Sequence, residues 1–350
     1  MHHTNSEPPF FSDSPLSISA RTAPRIKKSI SKRVVIYLAK ISIAVLVMIM
    51  LLKRVSVQDI STAFRSARLF CIFAALILLL PNIYFQFLKW RYLVRLLKPP
   101  VSNREIFQSL LAGFTFGFVT PGRVGEFGRA FFIKDCSWVS LLGITFIDKM
   151  FSLGVVFFWG ALGLLLFVSH QLYLYTLAPI VVFTLITLIV IYYVMFHPEV
   201  IRGFLYSLNI ILPFRDKMKL LMGSLDNFHR RQAFHLLLMT VAFYFIFFLQ
   251  FYILVCSFER APLLPTFWAI AATMLVKSLL PISLGDLGIR ESAAIFFLGK
   301  VGVHDFAAFN ASILLFMINL LIPSLLGLIL VLKYRLMFRN NNHNPVPTSN

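Results

Sequence analysis

Six apolar runs divide this chain, at roughly 34–52, 69–88, 138–168, 176–196, 234–257 and 306–332. At about 1.5 Å of rise per residue, each is long enough as a helix to cross about 30 Å of hydrocarbon. That spacing leaves little choice of fold class: the chain reads as an all-α, polytopic membrane protein. Composition agrees. Hydrophobic residues make up 59% and charged residues 13% of the 350 residues, against about 45–50% and about 25% in a soluble domain. A water-soluble globule built from it would have too few charges to cover its surface.

The formal charge of +19 does not point to nucleic acid, because no basic stretch combines with a DNA- or RNA-binding motif. The basic residues fall between the apolar runs. With the N-terminus in the cytoplasm, the cytoplasmic segments carry 23 Lys and Arg and the outer segments 8. That asymmetry predicts an N-in, C-in topology and attraction to anionic headgroups. Three dispersed cysteines, Cys71, Cys136 and Cys256, lack the spacing of a disulfide framework or a zinc site. The histidines lie in loops or at span ends. No metal ligands and no cofactor are expected.

The predicted organisation is a polar, basic cytoplasmic tail over 1–33, a membrane domain over 34–333 and a polar tail over 334–350. The first span is too long for a signal-peptide core and no small-residue cleavage site follows it, so it is read as uncleaved. Residues 55–67 are expected to form a short interfacial helix, and 198–233 a cytoplasmic segment lying on the inner leaflet.

Two further apolar stretches, 105–120 and 265–280, are too short or too broken to cross. Each ends at a proline and runs into a glycine-rich, charged motif. The first reads Pro121-Gly122-Arg123-Val124-Gly125-Glu126-Phe127-Gly128-Arg129. The second reads Pro281-Ile282-Ser283-Leu284-Gly285-Asp286-Leu287-Gly288-Ile289-Arg290-Glu291. Proline, glycine, acid, bulky apolar residue and glycine align at an offset of 160 residues, and Phe107 and Ala112 match Phe267 and Ala272. The arginine slips by one position. These segments are expected to be re-entrant or broken helix pairs, a backbone form tolerated at membrane depth only where protein buries it or it lines a wet cavity. The span order repeats in half one (34–168) and half two (176–333), with three crossings between equivalent points, so the halves are expected to be inverted. Paired interruptions in inverted halves mark a central substrate site in transporters.

Within the motifs, Pro121 and Pro281 end one helical piece. Gly122, Gly125, Gly128, Gly285 and Gly288 permit a tight turn and close backbone approach. A new helical piece is expected near Gly125 and near Gly285, its first N–H groups available to an anion. Arg123, Arg129 and Arg290 have planar donors suited to phosphate. Glu126, Asp286 and Glu291 pair with them, position them or bind a cationic headgroup. Alternatively, the charges close the loops on each other and bind nothing. Asp148 and Lys149 lie inside the third span, about 100° apart around the helix, so one of them is expected to meet the broken loop, with Asp148 on Arg129 or Arg123. Lys277 is placed either in the cavity or snorkelling to the outer surface.

At these motifs the chain resembles the membrane domain of the lysylphosphatidylglycerol synthase family, also called the flippase-like domain family. The resemblance rests on Pro121, Arg123, Gly125, Glu126 and Arg129, then Pro281, Ser283, Gly285, Gly288, Arg290 and Glu291, and covers about residues 30–335. The chain departs from the family where Ile147-Asp148-Lys149-Met150 stands in place of a frequent Glu-Arg pair, at Ser152, and at Asp286, where glycine or a small polar residue is common. In the synthases aminoacyl transfer belongs to a soluble domain after the membrane part, and this chain stops about 18 residues past its last span. The resemblance therefore implies lipid translocation rather than lysine transfer. The expected protein is a multi-pass flippase of the cell inner membrane, without a catalytic residue, whose substrate is a phospholipid or polyprenyl-phosphate-type lipid. Arg123, Glu126, Arg129, Asp148, Asp286, Arg290 and Glu291 would handle the headgroup, and envelope-lipid biosynthesis enzymes are expected partners. Two alternatives remain at this stage: a glycosyl- or phosphotransferase acting on a lipid-linked substrate, and a non-transporting accessory subunit of an envelope-lipid pathway.

Overall fold

Helix follows helix wherever the computed structural model describes the chain, which is residues 67–98, 100–120, 122–169, 174–197, 229–280 and 287–341. All of these lie in one compact unit, Ala39–Asn350. The expected first span, all but the last residue of the interfacial helix expected over 55–67, both chain ends and most of the 198–233 segment fall outside the described residues, as do Pro121, Pro281, Ser283, Gly285 and Asp286.

The elements are α1 (Leu69–Ile77), α2 (Leu79–Leu97), α3 (Asn103–Val119), a 3₁₀ segment (Val124–Phe132), α4 (Trp138–Ser169), α5 (Leu174–Phe196), α6 (Arg230–Phe258), α7 (Leu263–Leu279), α8 (Ile289–Gly299), α9 (Asp305–Phe316), a π-helical turn (Met317–Leu321) and α10 (Ile322–Asn341). Among the described residues, four stretches are long and apolar enough to cross a membrane: Leu69–Leu97, Trp138–Phe167, Arg230–Phe258 and Asp305–Lys333. The expected span over 176–196 is present as α5, which carries Pro179 within it. Helix α10 continues through the start of the polar tail to Asn341.

The first of these spans runs nine residues beyond its expected end at Leu88, because Trp90, Leu93, Val94 and Leu97 prolong the apolar face. Lys89, counted above with a cytoplasmic segment, is therefore inside the bundle and 3% exposed.

The first broken segment is a hairpin. Helix α3 ends at Val119, and Gly122 and Arg123 turn the chain with φ of 60° and 57°. Glycine adopts that left-handed backbone freely; arginine does so at a cost of about 1–2 kcal/mol. The 3₁₀ segment then runs back along α3. Nine residues at about 2.0 Å each cover roughly 18 Å, so a short stretch returns most of the way. Ser109 donates to the Arg129 carbonyl at 2.7 Å, and the Lys134 N–H donates to Glu105 at 2.5 Å. Gly125 makes the close approach possible: a Cβ there would lie 2.0 Å from the Phe116 carbonyl oxygen. In the second broken segment, whose residues 281–286 lie outside the described residues, α8 packs on α7 and Thr273 donates to the Ala293 carbonyl at 3.5 Å.

Each hairpin leans on the span that follows the other hairpin. Helix α7 crosses α4 at Gly160, where a Cβ would sit 2.9 Å from the Ala271 carbonyl oxygen and 2.4 Å from the Leu275 Cβ. Helix α3 crosses α10 at Gly327, where a Cβ would sit 2.2 Å from the Leu111 carbonyl oxygen and 2.4 Å from the Thr115 hydroxyl. Leu111 and Thr115 stand 160 residues before Ala271 and Leu275. At the second crossing Thr115 donates to the Ser324 carbonyl at 2.9 Å and Ser324 to the Phe114 carbonyl at 3.0 Å. Small residues at such crossings let backbones approach closely, the contact that matters where lipid offers no hydrophobic drive between helices.

Two apolar clusters form. One gathers α7, α8 and α9 with Ala75, Leu79 and the Phe248–Val255 stretch of α6. The other gathers Trp90, Leu93, Ile106, Leu141, Ile147, Phe151 and Leu236. The long helices α2, α4 and α6 contribute to both, and all three also carry polar residues that line a cavity.

Candidate functional site

Polar residues of α2, α4 and α6 open on a cavity of about 400 Å³. Its polar lining comes from Gln86 and Lys89 of α2, Arg123, Glu126 and Arg129 of the first hairpin, Asp148, Lys149 and Ser152 of α4, Tyr244 of α6, and Lys277 and Ser278 of α7. Asp148 lies ten residues into α4, or about 15 Å along its axis.

Arg129 is the best-anchored charge. It is 4% exposed. Its guanidinium bonds Asp148 at 3.0 Å and Thr145 at 3.4 Å, and lies 3.8 Å from the centroid of the Trp90 ring. Trp90 is itself fixed, donating to Ser109 at 3.2 Å. The other oxygen of Asp148 meets Lys89 at 2.9 Å, and Lys89 donates to Ser152 at 3.1 Å. One buried carboxylate thus serves two buried cations. Glu126 repeats the arrangement nearer the cavity: it pairs with both Arg123 and Lys149. Gly117 leaves room for it, since a Cβ there would lie 2.6 Å from the Glu126 Cγ.

Asp148 and Lys149 both meet the hairpin, where only one was expected to. The long lysine side chain spans the angle between their helix faces, and the hairpin presents Glu126 and Arg129 one 3₁₀ turn apart.

Arg290 and Glu291 of the second motif lie elsewhere, buried between α8 and α9. Arg290 donates to Ser312 at 2.8 Å and pairs with Glu291, and Ser312 donates to Glu291 at 3.1 Å. A small cavity of about 30 Å³ brings Arg290 to the same space as Arg123, Lys277 and Asn319. Arg123 and Lys277 line both cavities. Residues of the two motifs therefore meet, through Arg123 and Arg290.

Among the described residues, two N–H groups at the starts of the returning segments are already taken. The Gly125 N–H donates to Thr120 at 2.6 Å. Helix α8 starts at Ile289 rather than near Gly285, and the Gly288 N–H donates to Glu291 at 2.6 Å. A carboxylate fixed on a helix start occupies the position an anion would take.

Sequence reasoning missed Lys89, Ser152 and Tyr244 and left Lys277 undecided. Lys89 was legible in one respect: the apolar period continues past it to Leu97. A chain of side-chain amides was also missed. Gln86 donates to Asn82 at 3.0 Å, Asn82 to Gln250 at 3.4 Å and Asn319 to Gln250 at 2.7 Å. It runs from the large cavity to the small one, and Asn319 sits on the π-helical turn, an irregularity common at functional sites.

A family model described as the lysylphosphatidylglycerol synthase TM region matches residues 37–327. The chain belongs to that family. Comparison with curated proteins gives no match.

Proposed function

We propose, taking membership in that family as the premise, that this protein moves a phospholipid or polyprenyl-phosphate-type lipid between the leaflets of the inner membrane. The headgroup passes through the polar cavity while the acyl tails stay in the bilayer. The observation that carries the reading is the cavity: seven charged side chains of four elements facing one space among apolar helices. A charge at the bilayer centre costs about 2.5–3.5 kcal/mol on insertion scales. A set of this size is tolerated where the charges pair and water or a polar ligand enters.

The inverted-repeat architecture belongs to this proposal. Its support is the exchanged crossing, in which Gly160 meets Ala271 and Leu275 while Gly327 meets Leu111 and Thr115. A two-fold relation between halves produces such reciprocal contacts. The two hairpins then enter from opposite faces, N-in and C-in, and rocking of one half against the other switches access. The protein acts as a transporter without making or breaking bonds, and envelope-lipid enzymes supply or use its cargo.

Reconstitution tests the function. Vesicles holding purified protein and a headgroup-labelled fluorescent lipid are exposed to a membrane-impermeant quencher. Transport predicts loss of the protected inner-leaflet signal, and a rate equal to protein-free vesicles overturns it. Single cysteines at Asn103 and Leu263, where the hairpins begin, should react with an impermeant maleimide from opposite sides. Labelling from one side removes the inverted repeat.

A further inference from the structure

We infer that the large cavity is selective for a headgroup bearing a doubly charged phosphate monoester, and that Arg123, Lys149 and Lys277 are the residues that read it. This rests on the transport reading and narrows its substrate class.

The described lining carries five cations, Lys89, Arg123, Arg129, Lys149 and Lys277, against two carboxylates, Glu126 and Asp148. The excess is three positive charges, and one further carboxylate would still leave two. In a space walled by Phe146, Phe243 and Leu153, low polarizability makes such an excess unfavourable until an anion enters.

The cations divide into two sets. Lys89 and Arg129 are buried and clasp Asp148 from both sides; they hold the hairpin against α2 and α4. The side chains of Arg123 and Lys149 are 29% and 33% exposed and share Glu126. Lys277 reaches the same space from α7. These three bring an arginine fork and two ammonium groups to one cavity from three different elements, a donor set suited to several oxygens of one phosphate.

The carboxylates complete the selectivity. Each already lies between two cations: Asp148 between Lys89 and Arg129, Glu126 between Arg123 and Lys149. Among the described lining residues, a choline, ethanolamine or lysyl cation entering the cavity therefore meets an excess of positive charge. A monoanionic diester offsets one charge of the excess and a monoester two. The volume, about 400 Å³, lies within the range of about 300–1,000 Å³ usual for small-ligand sites. A lipid headgroup and a free phosphate monoester share this chemistry.

The full chain in detergent is titrated with dihexanoyl phosphatidic acid, dihexanoyl phosphatidylglycerol, dihexanoyl phosphatidylcholine, a lysylated phosphatidylglycerol and glycerol 3-phosphate, with affinity read by calorimetry. Phosphatidic acid should bind about tenfold tighter than phosphatidylglycerol, and the zwitterion and the lysylated lipid at least tenfold weaker again. Glycerol 3-phosphate binding as tightly as phosphatidic acid would support the monoester class and assign a soluble source; weaker binding would support it and assign the lipid. Lys149→Gln and Lys277→Gln, each checked for an unchanged melting profile, should each reduce the preference for monoester over diester to about threefold or less. Equal affinity for all headgroups, no binding in any arm, or an unaltered preference in both variants overturns the inference. In vesicles, unselective transfer of every lipid with equal binding would refute the selectivity and leave transport standing. Selective binding without transfer would do the reverse.

Discussion

The two hairpins share a residue pattern and use their charges differently. In the first, every ion pair but Arg123–Glu126 leaves the hairpin: Arg129 goes to Asp148 on α4 and Glu126 to Lys149 on α4. In the second, Arg290 pairs with its neighbour Glu291, and Glu291 also holds the helix start at Gly288. The first return segment is a 3₁₀ helix opening on a cavity of about 400 Å³; the second is an α-helix facing one of about 30 Å³. The one-residue slip of the arginine has a physical consequence. Arg129 follows Glu126 by three positions and reaches across to Asp148 on α4, whereas Arg290, four positions after Asp286, pairs with its neighbour Glu291 and bonds Ser312 on α9. Among the described residues, the charges of the first motif line the larger cavity, while Arg290 and Glu291 of the second pair with each other beside α9.

The largest effect expected is on folding. Gly125→Val places side-chain atoms where the Phe116 carbonyl already lies, and the first hairpin should not close; loss of a monodisperse peak after detergent extraction checks it. A well-folded variant would mean that the first hairpin is not the tight element described. Next in size is Asp148→Asn. It leaves Lys89 and Arg129 buried without their carboxylate, and removing one member of a buried ion pair costs about 3–5 kcal/mol. Glu291→Gln strands a single arginine and should cost less. Detergent unfolding curves of the two variants test the contrast, and equal losses would break it. Adding Lys89→Met to Asp148→Asn should recover part of the stability, because one stranded charge is removed.

Arg123→Gln should separate function from stability. Its side chain is partly exposed, so stability should change by less than about 1 kcal/mol, while vesicle transfer should fall at least tenfold. Transfer at the parent rate would shift the ligand-facing role away from the first hairpin. The smallest effect is expected at the exchanged crossing. Ser324→Ala removes one buried hydrogen bond to the Phe114 carbonyl, worth about 1 kcal/mol, and should lower the unfolding midpoint slightly. A loss several times larger would show that this crossing, and not the hairpin itself, sets the stability of the first half.

Much of the outline was legible in the residues. The apolar runs at 138–168, 234–257 and 306–332 correspond to spanning helical stretches to within a few residues at either end, because a helix in lipid must be continuously apolar along its length. The motif around Arg123, Glu126 and Arg129 and the charge at Asp148 were legible too, since ionisable groups inside apolar runs are conspicuous. Lys89 was not, because a basic residue near the end of an apolar run marks a membrane boundary as readily as it marks a cavity. Open N–H groups were expected near Gly125 and near Gly285, but the N–H of Gly125 is taken, as is that of Gly288 just before α8. Their partners, Thr120 and Glu291, are near in sequence, but nothing in the spacing says whether a side chain turns back on its own helix start.

The residue order by itself determined the helical class, the positions of the interruptions and the presence of charge at membrane depth, because these follow from hydrophobic length and from proline and glycine chemistry, which act locally. Only the tertiary structure decided the pairing: that Asp148 serves Lys89 and Arg129 together, that Glu126 is shared with Lys149, and that Arg290 turns inward to Glu291. Pairing depends on which side chains come within about 3 Å across helices far apart in the chain, and close packing at Gly125, Gly160 and Gly327 sets those distances.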